Sequence, residues 1–170
     1  MKDIIIFGAG GFAREVLWTI KDLNKENREW NVLGFLDDNP QQWGKEVKGY
    51  PILKPRDFEN ERRRFYLTMG VGNCKLKYTI QKRFAGANVK YPNLVHPSVI
   101  FGSDAKLDGE GIIIQAGSIL APDSVLKSYV TINLSVTVGH DAVLREYVTI
   151  APGVNISGNV EIGQGTDIGT

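Results

Sequence analysis

A hydrophobic side chain recurs every six residues through the second half of the chain. The repeated positions are all aliphatic, and they are Ile114, Leu120, Leu126, Ile132, Val138, Leu144, Ile150, Ile156, Ile162 and Ile168. Four residues after them comes a second row of small or β-branched side chains, at Ser118, Ser124, Val130, Val136, Ala142, Val148, Val154, Val160 and Thr166. A small residue often follows the aliphatic position directly and is expected to let the backbone bend tightly, as at Gly139, Ala151, Gly163 and Gly169. A helix cannot use a period of six, whereas a parallel coil with a corner every six residues stacks both rows inside, so the pattern predicts a hexapeptide β-helix.

The first ninety residues alternate strand and helix patterns instead. The apolar run 4–7 is typical of a buried parallel strand, and a glycine turn and a predicted helix over 13–23 follow it. Further strands are predicted over 32–36 and 65–71, and the second of these is followed by helical spacing over 75–84. The sequence therefore predicts a small Rossmann-like α/β domain with a parallel sheet over 1–92 and a β-solenoid over 93–170.

Three loops are expected to meet at the carboxyl edge of this sheet, where open α/β folds bind ligands. They are the glycine turn 8–12, the acidic turn at Asp37 and Asp38, and the loop 70–73. Glycines at a helix start let a phosphate approach backbone N–H groups, although the same pattern also serves close strand–helix packing alone. The two carboxylates have two interpretations, as groups that bond their own turn or as acceptors for a nucleotide base or ribose, and their position favours the second. The unit is too short for a full dinucleotide fold, which argues against an NAD enzyme.

His140 is the candidate for chemistry in the second domain. It stands between the inward-facing Val138 and Ala142, so we expect it to project from a corner of the coil. Asp141 beside it can orient the imidazole and stabilise its protonated form, as a general base near neutral pH requires. Asn133 occupies a place where Gly or Ala is usual, and we expect its amide to hold a substrate in line with His140. An exposed corner histidine without a role is the alternative.

Composition excludes several classes of protein. The chain has 20 basic and 19 acidic side chains and a net charge of +1, so nothing indicates a nucleic acid or an anionic membrane as partner. Cys74 is the only cysteine and there are two histidines, which excludes an internal disulfide and predicts no metal site. The apolar N-terminal run is short, breaks into glycines, and no stretch is long enough to span a bilayer, so a cytoplasmic protein is expected.

The order of these features resembles a known family. The α/β unit contains Ile-Phe-Gly-Ala-Gly-Gly-Phe-Ala and then Gly-Phe-Leu-Asp-Asp, and Val-His-Pro-Ser precedes the coils that hold Asn133, His140 and Asp141. This pattern is similar to that of the nucleotide-sugar acetyltransferases of bacterial glycan biosynthesis, with the perosamine N-acetyltransferases and sialic-acid O-acetyltransferases among them. The resemblance implies a left-handed parallel β-helix and a homotrimer with active sites between neighbouring coils. It also implies acetyl transfer from acetyl-CoA to an amino group of a nucleotide-linked sugar.

The resemblance further implies roles for individual residues. Three match the catalytic group, as the general base, its acidic partner and an amide near the sugar amine: His140, Asp141 and Asn133. Six match the phosphate loop, the base-recognition turn and a further substrate contact: Gly10, Gly11, Phe12, Asp37, Asp38 and Gly72. Three lie where the coenzyme is expected along the coils: Thr149, Gly158 and Thr170. Because the family pattern often has histidine at positions 12 and 149, some substrate and coenzyme contacts are expected to differ.

Three functional classes stay open at this point. The N-acetyltransferase leads, an O-acetyltransferase would use the same base on a sugar hydroxyl, and a nucleotide-sugar-binding protein would not use the base at all. The sequence also stops at Thr170 in mid-repeat without a cap. This ending predicts a truncated form, with a natural short form completed by assembly as the alternative. No motif indicates which nucleotide or sugar is carried.

Overall fold

The computed structural model describes all 170 residues, which divide into two compact units. Unit 1 comprises Met1–Gly72 and Leu76–Pro92, and unit 2 comprises Asn73–Lys75 and Asn93–Thr170. The short segment Asn73–Lys75, which contains the buried Cys74, therefore groups with unit 2 rather than with the α/β unit where the sequence placed it.

A six-stranded sheet forms the framework of unit 1. In chain order the elements are β1 (Lys2–Phe7), α1 (Gly11–Glu26), β2 (Trp30–Leu36), β3 (Glu46–Val47), β4 (Tyr50–Leu53), β5 (Phe65–Met69), α2 (Cys74–Arg83) and β6 (Val89–Lys90), with 3-10 turns at Pro40–Gln42 and Pro55–Asp57. The first two residues of α2 belong to unit 2 and the rest to unit 1. The strands lie in the order β3-β4-β2-β1-β5-β6. All neighbours pair in parallel except β3 and β4. The predicted parallel α/β sheet is thus confirmed. The antiparallel strand β3 at its edge was not predicted.

The apolar pattern explains why β1 lies at the centre of this sheet. Its run Ile4–Ile6 is fully buried, as expected of a parallel strand that is covered on both faces. The helix α1 buries Ala13, Val16, Leu17 and Ile20, a spacing that places one apolar stripe along the helix. Neither α1 nor α2 is long and apolar enough to cross a membrane.

Unit 2 is a parallel β-helix whose short strands stack in three sheets. Sheet A contains β7 (Leu94–Val95), β10 (Ile113–Ile114), β13 (Thr131–Ile132), β16 (Thr149–Ile150) and β19 (Asp167–Ile168). Sheet B contains β8 (Ile100–Phe101), β11 (Ile119–Leu120), β14 (Thr137–Val138) and β17 (Asn155–Ile156). Sheet C contains β9 (Lys106–Asp108), β12 (Val125–Lys127), β15 (Val143–Leu144) and β18 (Glu161–Ile162).

The strand register confirms the six-residue period. Ile114 pairs with Ile132 and Ile132 with Ile150, so each coil consists of three six-residue steps. The first coil is one residue longer, because Val95 rather than residue 96 pairs with Ile114. The aliphatic row from Ile114 to Ile150 is buried throughout and forms one core with the small row beside it.

The corners of the coil differ from the expectation in one respect. The left-handed residue lies three positions after each aliphatic step, and at one corner it is Asp123 (φ 59°), Asp141 (φ 58°) and Asn159 (φ 56°) in successive coils. The small residue directly after the step does not make the bend. At Gly139 it permits close stacking instead, since a Cβ there would overlap the backbone nitrogen of Gly158 on the next coil.

Candidate functional site

The glycine turn of unit 1 lies between the carboxyl ends of β2 and β5. The N–H of Gly8 donates to the carbonyl of Leu36 at 2.7 Å. Gly8 has φ +97°, and a Cβ on it would lie 2.9 Å from both the carbonyl oxygen of Gly70 and Cγ1 of Val71. Position 8 therefore requires glycine for its conformation and for the close approach. The structure brings the glycine turn, the end of β2 and the loop after β5 together, as the sequence predicts.

The predicted phosphate loop opens helix α1. Gly10 is the N-cap residue and has no side chain to satisfy the first-turn N–H groups, and α1 begins at Gly11. A Cβ on Gly10 would meet nothing within 4 Å, so the backbone there is open to a ligand. No acidic residue occupies the first turn, and the helix dipole favours an anion at this end. Phe12 on α1 and Gly72 after β5 are both half-buried.

Asp37 joins the acidic turn to the glycine turn. Its Oδ2 accepts a hydrogen bond from the N–H of Ala9 at 3.2 Å, and its Oδ1 accepts from the N–H of Asn39 at 2.9 Å. Its backbone carbonyl accepts from the indole N–H of Trp43 at 2.7 Å. Both interpretations of this carboxylate are therefore compatible with its geometry. It bonds its own turn, and it also lies where a ligand on the glycine turn would be.

Arg83, which the sequence analysis missed, pairs with Asp38. The guanidinium bonds Asp38 at 2.6 Å and Glu59 at 2.7 Å, and it lies over the ring of Phe7 at 5.9 Å. Burial lowers the pKa of Arg83, but the hydrogen bonds with the two carboxylates outweigh burial and raise the pKa above its ordinary value. A permanent positive charge thus lies beside Asp38 of the acidic turn and is shared with Glu59. The only sequence signal was a pair of basic residues, Lys82 and Arg83, in the last turn of α2.

Gly70 fixes the distance between β1, α1 and the loop after β5. A Cβ on it would lie 2.7 Å from both Cβ of Ala13 and Cγ2 of Ile6. We expect Gly70→Ala to lower the free energy of unfolding of unit 1 by about 1–3 kcal/mol, because the added methyl overpacks the core. Denaturant unfolding followed by tryptophan fluorescence measures this. The control is Gly86→Ala, whose methyl would lie 3.6 Å from its nearest neighbour, Oδ1 of Asn60, an ordinary contact; equal stability of the two variants would contradict the prediction.

In unit 2, His140 lies at the corner after β14. Its Nδ1 bonds Oδ2 of Asp141 at 2.8 Å, and the two side chains are 61% and 54% exposed. An ionised carboxylate only accepts hydrogen bonds, so we assign the proton of the neutral ring to Nδ1, which leaves the lone pair on Nε2. The ring lies against Gly158, one coil further along. The arrangement can accept a proton at Nε2 and stabilise the resulting imidazolium.

Asn133 lies at the preceding corner, before β14, and its side chain is buried. Its side-chain Nδ2 donates to the backbone carbonyl of Ile150 at 2.8 Å, and its backbone carbonyl accepts from the hydroxyl of Ser118 at 2.8 Å. Asn133 therefore links three successive coils in this chain. No hydrogen bond joins it to His140, so its place beside the substrate stays a prediction.

The residues predicted to contact the coenzyme lie on different parts of the coil. Thr149 is buried on β16 and pairs with Thr131 and Asp167. Gly158 lies beneath the His140 ring, whereas Thr170 is exposed just after β19. The structure thus brings only Gly158 next to His140. No group of three or more His, Cys, Asp or Glu side chains could hold a metal ion.

Several known proteins are similar to this chain. Residues 3–84 match the family model described as the PglD N-terminal domain, and no curated protein matches the chain. The acetyltransferase domain of PglB from Neisseria gonorrhoeae FA1090 has 30% sequence identity and a TM-score of 0.85, with 100% of this chain and 80% of that chain covered. The same domain in complex with acetyl coenzyme A has 32% identity and a TM-score of 0.86, with 99% and 80% covered.

More distant structures share the fold. WeeI from Acinetobacter baumannii AYE has 24% identity and a TM-score of 0.76, with 95% of this chain and 74% of that chain covered. PerB from Caulobacter crescentus, in complex with CoA and GDP-perosamine, has 20% identity and a TM-score of 0.63, with 99% and 89% covered. At these identities the likeness concerns the architecture alone.

Proposed function

This chain belongs to the hexapeptide-repeat acetyltransferases, the family of the PglB acetyltransferase domain, and from that membership we propose an acetyl-CoA-dependent N-acetyltransferase. The proposed acceptor is the amino group of a nucleotide-linked sugar in glycan biosynthesis. The observation that carries the proposal is the exposed His140 ring, whose Nδ1 is held by Asp141 at 2.8 Å. A general base needs this arrangement, in which one nitrogen is oriented and the other is free to accept a proton.

In the proposed reaction the sugar amine attacks the thioester carbonyl of acetyl-CoA. The N–C bond forms as Nε2 of His140 takes the amine proton, and backbone N–H groups of a neighbouring coil hold the oxyanion. The C–S bond then breaks, and the departing thiolate receives the proton from His140. No covalent enzyme intermediate is needed. Cys74 is buried, which gives no support to a nucleophilic role.

Unit 1 is proposed to hold the nucleotide end of the acceptor. The open N–H groups at Gly10 and Gly11 suit the sugar-linked phosphates, because a helix start favours an anion. Asp37 and Asp38 are proposed to face the base or ribose. The guanidinium of Arg83 holds the Asp38 carboxylate at 2.6 Å and so orients it, which supports this role. Phe12 and Gly72 are proposed as further substrate contacts.

The coenzyme is proposed to run along the coils of unit 2. The complex of the PglB domain with acetyl coenzyme A supports acetyl-CoA as the donor. The proposed contacts are Thr149 on sheet A, Gly158 at the corner of His140 and Thr170 after sheet A. Asn133 and His140 occupy successive corners of one chain, and no hydrogen bond joins them. We therefore further propose a homotrimer in which the coils of neighbouring chains complete the site. The proposed compartment is the cytoplasm, without nucleic acid or membrane partners.

The test is a panel of acceptors offered to the protein with acetyl-CoA. Uridine-, guanosine- and cytidine-linked 4-amino sugars are compared with the matching 4-hydroxy sugars, and released CoA thiol is measured. The proposal expects turnover only with amino sugars and an acetylated product that survives mild base, because an amide resists hydrolysis that removes an ester. Exclusive acetylation of hydroxy sugars would replace it by an O-acetyltransferase. Saturable binding of nucleotide sugar without turnover of any acceptor would identify a non-catalytic binding protein.

A further inference from the structure

We propose that Gly158 is a positioning residue for His140. The imidazole occupies the space that a side chain at position 158 would fill, and this explains why that position holds glycine. The inference rests on the proposed function, in which His140 is the base, and it adds a steric role to the coenzyme contact expected at Gly158 from the family resemblance.

The distances between the two residues carry the inference. A Cβ built on Gly158 would lie 2.6 Å from Nε2 of His140, 2.7 Å from Cε1 and 2.9 Å from Cδ2. All three are shorter than any contact that a real Cβ keeps, so even one methyl group must displace the ring. The nitrogen nearest to that methyl is Nε2, which carries the free lone pair.

The ring is exposed and can move away from such a methyl, but only by giving up its hydrogen bond to Asp141. Its Nδ1 is held by Asp141 at 2.8 Å, and a rotation away from Gly158 would break that hydrogen bond. The backbone is fixed as well, because the carbonyl of His140 accepts from the N–H of Asn159 at 2.9 Å and the N–H of Asp141 donates to the carbonyl of Pro122 at 3.2 Å. The imidazole is therefore placed by Asp141 on its own coil and by Gly158 on the next.

Backbone conformation does not explain this glycine. Gly153 and Gly165 have φ values of 71° and 68°, which L side chains rarely adopt, whereas Gly158 is not among the glycines with positive φ. Alanine would fit the backbone at position 158. The three atoms nearest to its Cβ all belong to the His140 ring.

The first experiment compares Gly158→Ala with the protein itself in steady-state acetyl transfer. We expect kcat to fall by about 10–100-fold and the KM for acetyl-CoA to stay within about twofold, because a displaced base impairs the transition state and leaves ground-state binding intact. A rise in the KM for acetyl-CoA at unchanged kcat would overturn the inference in favour of a coenzyme contact. The matched control is Gly163→Ala, whose methyl would lie 4.0 Å from its nearest neighbour, Oγ1 of Thr166.

The second readout does not depend on activity. The chain has two histidines, so nitrogen NMR of the imidazole rings observes His140 with His96 as an internal reference. In Gly158→Ala we expect the His140 signals to lose the Nδ1–H tautomer pattern while those of His96 stay unchanged. Unchanged His140 signals together with unchanged kcat would overturn the inference. Altered His140 signals in a protein that acetylates no acceptor would uphold the geometry and refute the proposed function.

A third comparison covers the case in which Gly158→Ala folds poorly. In the double variant His140→Ala/Gly158→Ala the ring is absent, so the methyl at position 158 has room. We expect this double variant to melt at the same temperature as His140→Ala alone. A double variant that melts much lower would show that the glycine serves the backbone, and it would overturn the inference.

Discussion

Replacing His140 by alanine is expected to lower kcat for acetyl transfer by about 10²–10⁴-fold, the usual contribution of a general base. The side chain is 61% exposed and its one hydrogen bond is to Asp141, so we expect its removal to leave the fold and the proposed nucleotide-sugar site of unit 1 intact. Stopped assays of thiol release measure the loss in kcat, and calorimetry with the acceptor measures binding. A variant that keeps more than about one tenth of kcat would contradict the role of base.

Replacing Asp141, the acidic partner of His140, tests the same role with a smaller expected effect. Asp141→Asn keeps the size of the side chain but removes the charge that stabilises an imidazolium, so we expect a smaller loss of kcat than with His140→Ala. Asp123→Asn is the matched control, because Asp123 occupies the same left-handed corner position one coil earlier and has no histidine beside it. Equal losses in the two asparagine variants would indicate an effect of the corner rather than of the base.

Leu144→Ala is expected to cause the largest loss of stability, about 2–5 kcal/mol of the free energy of unfolding, as in other cores where a buried leucine is truncated. Leu144 is fully buried on β15 and stacks between Leu126 and Ile162 on the neighbouring coils. Denaturant unfolding followed by far-ultraviolet circular dichroism measures this change. All three tryptophans lie in unit 1, so their fluorescence reports separately on the sheet domain.

A matched substitution on the outer surface of the coil serves as control. Ile119 lies on β11 with its side chain 40% exposed, so Ile119→Ala removes apolar contacts without opening an internal cavity. We expect it to change the free energy of unfolding by about 0.5 kcal/mol or less, the range of ordinary surface substitutions. If Ile119→Ala costs as much as Leu144→Ala, the assignment of inner and outer rows is wrong.

The inward rows of the β-helix were predictable because burial imposes a strict period on the sequence. Each six-residue step places one aliphatic side chain at the same point of a face, and a single chain shows that regularity directly. The strand β1 and helix α1 were predictable for the same reason, since their apolar residues follow the patterns of a buried strand and of one helix face. The ends of α1 lay two and three residues beyond the prediction, as helix termini usually do.

Features held by tertiary contacts were not predictable. The strands β3 and β4 are too short to show a period, and their pairing depends on the turn between them. At another corner the left-handed positions are held by Tyr129 and Tyr147, residues that no turn rule selects. Their rings stack with centroids 5.0 Å apart, and nothing in the sequence pattern indicates this contact.

The candidate site likewise contains contacts that were predictable from the sequence and contacts that were not. His140 and Asp141 are neighbours in the sequence, so their pairing was predictable, whereas Arg83 reaches Asp38 only through the folded sheet. The sequence contained a signal for the proximity of Gly158 to His140 that the sequence analysis did not use. Positions three six-residue steps apart stack on one another, so position 158 was bound to lie at the corner of His140.

The pairing of each strand with its counterparts on adjacent coils makes the β-helix a modular rod. The surroundings of His140 are set by its own coil and by Pro122, Gly158 and Asn159 on the coils beside it. Coils further away do not contact the His140 corner and change only the length of the stack. Whole coils at a distance can thus be gained or lost during evolution without altering the corner at His140. We therefore expect the proposed catalytic corner to keep its geometry when these three coils are moved as a unit into a rod of another length.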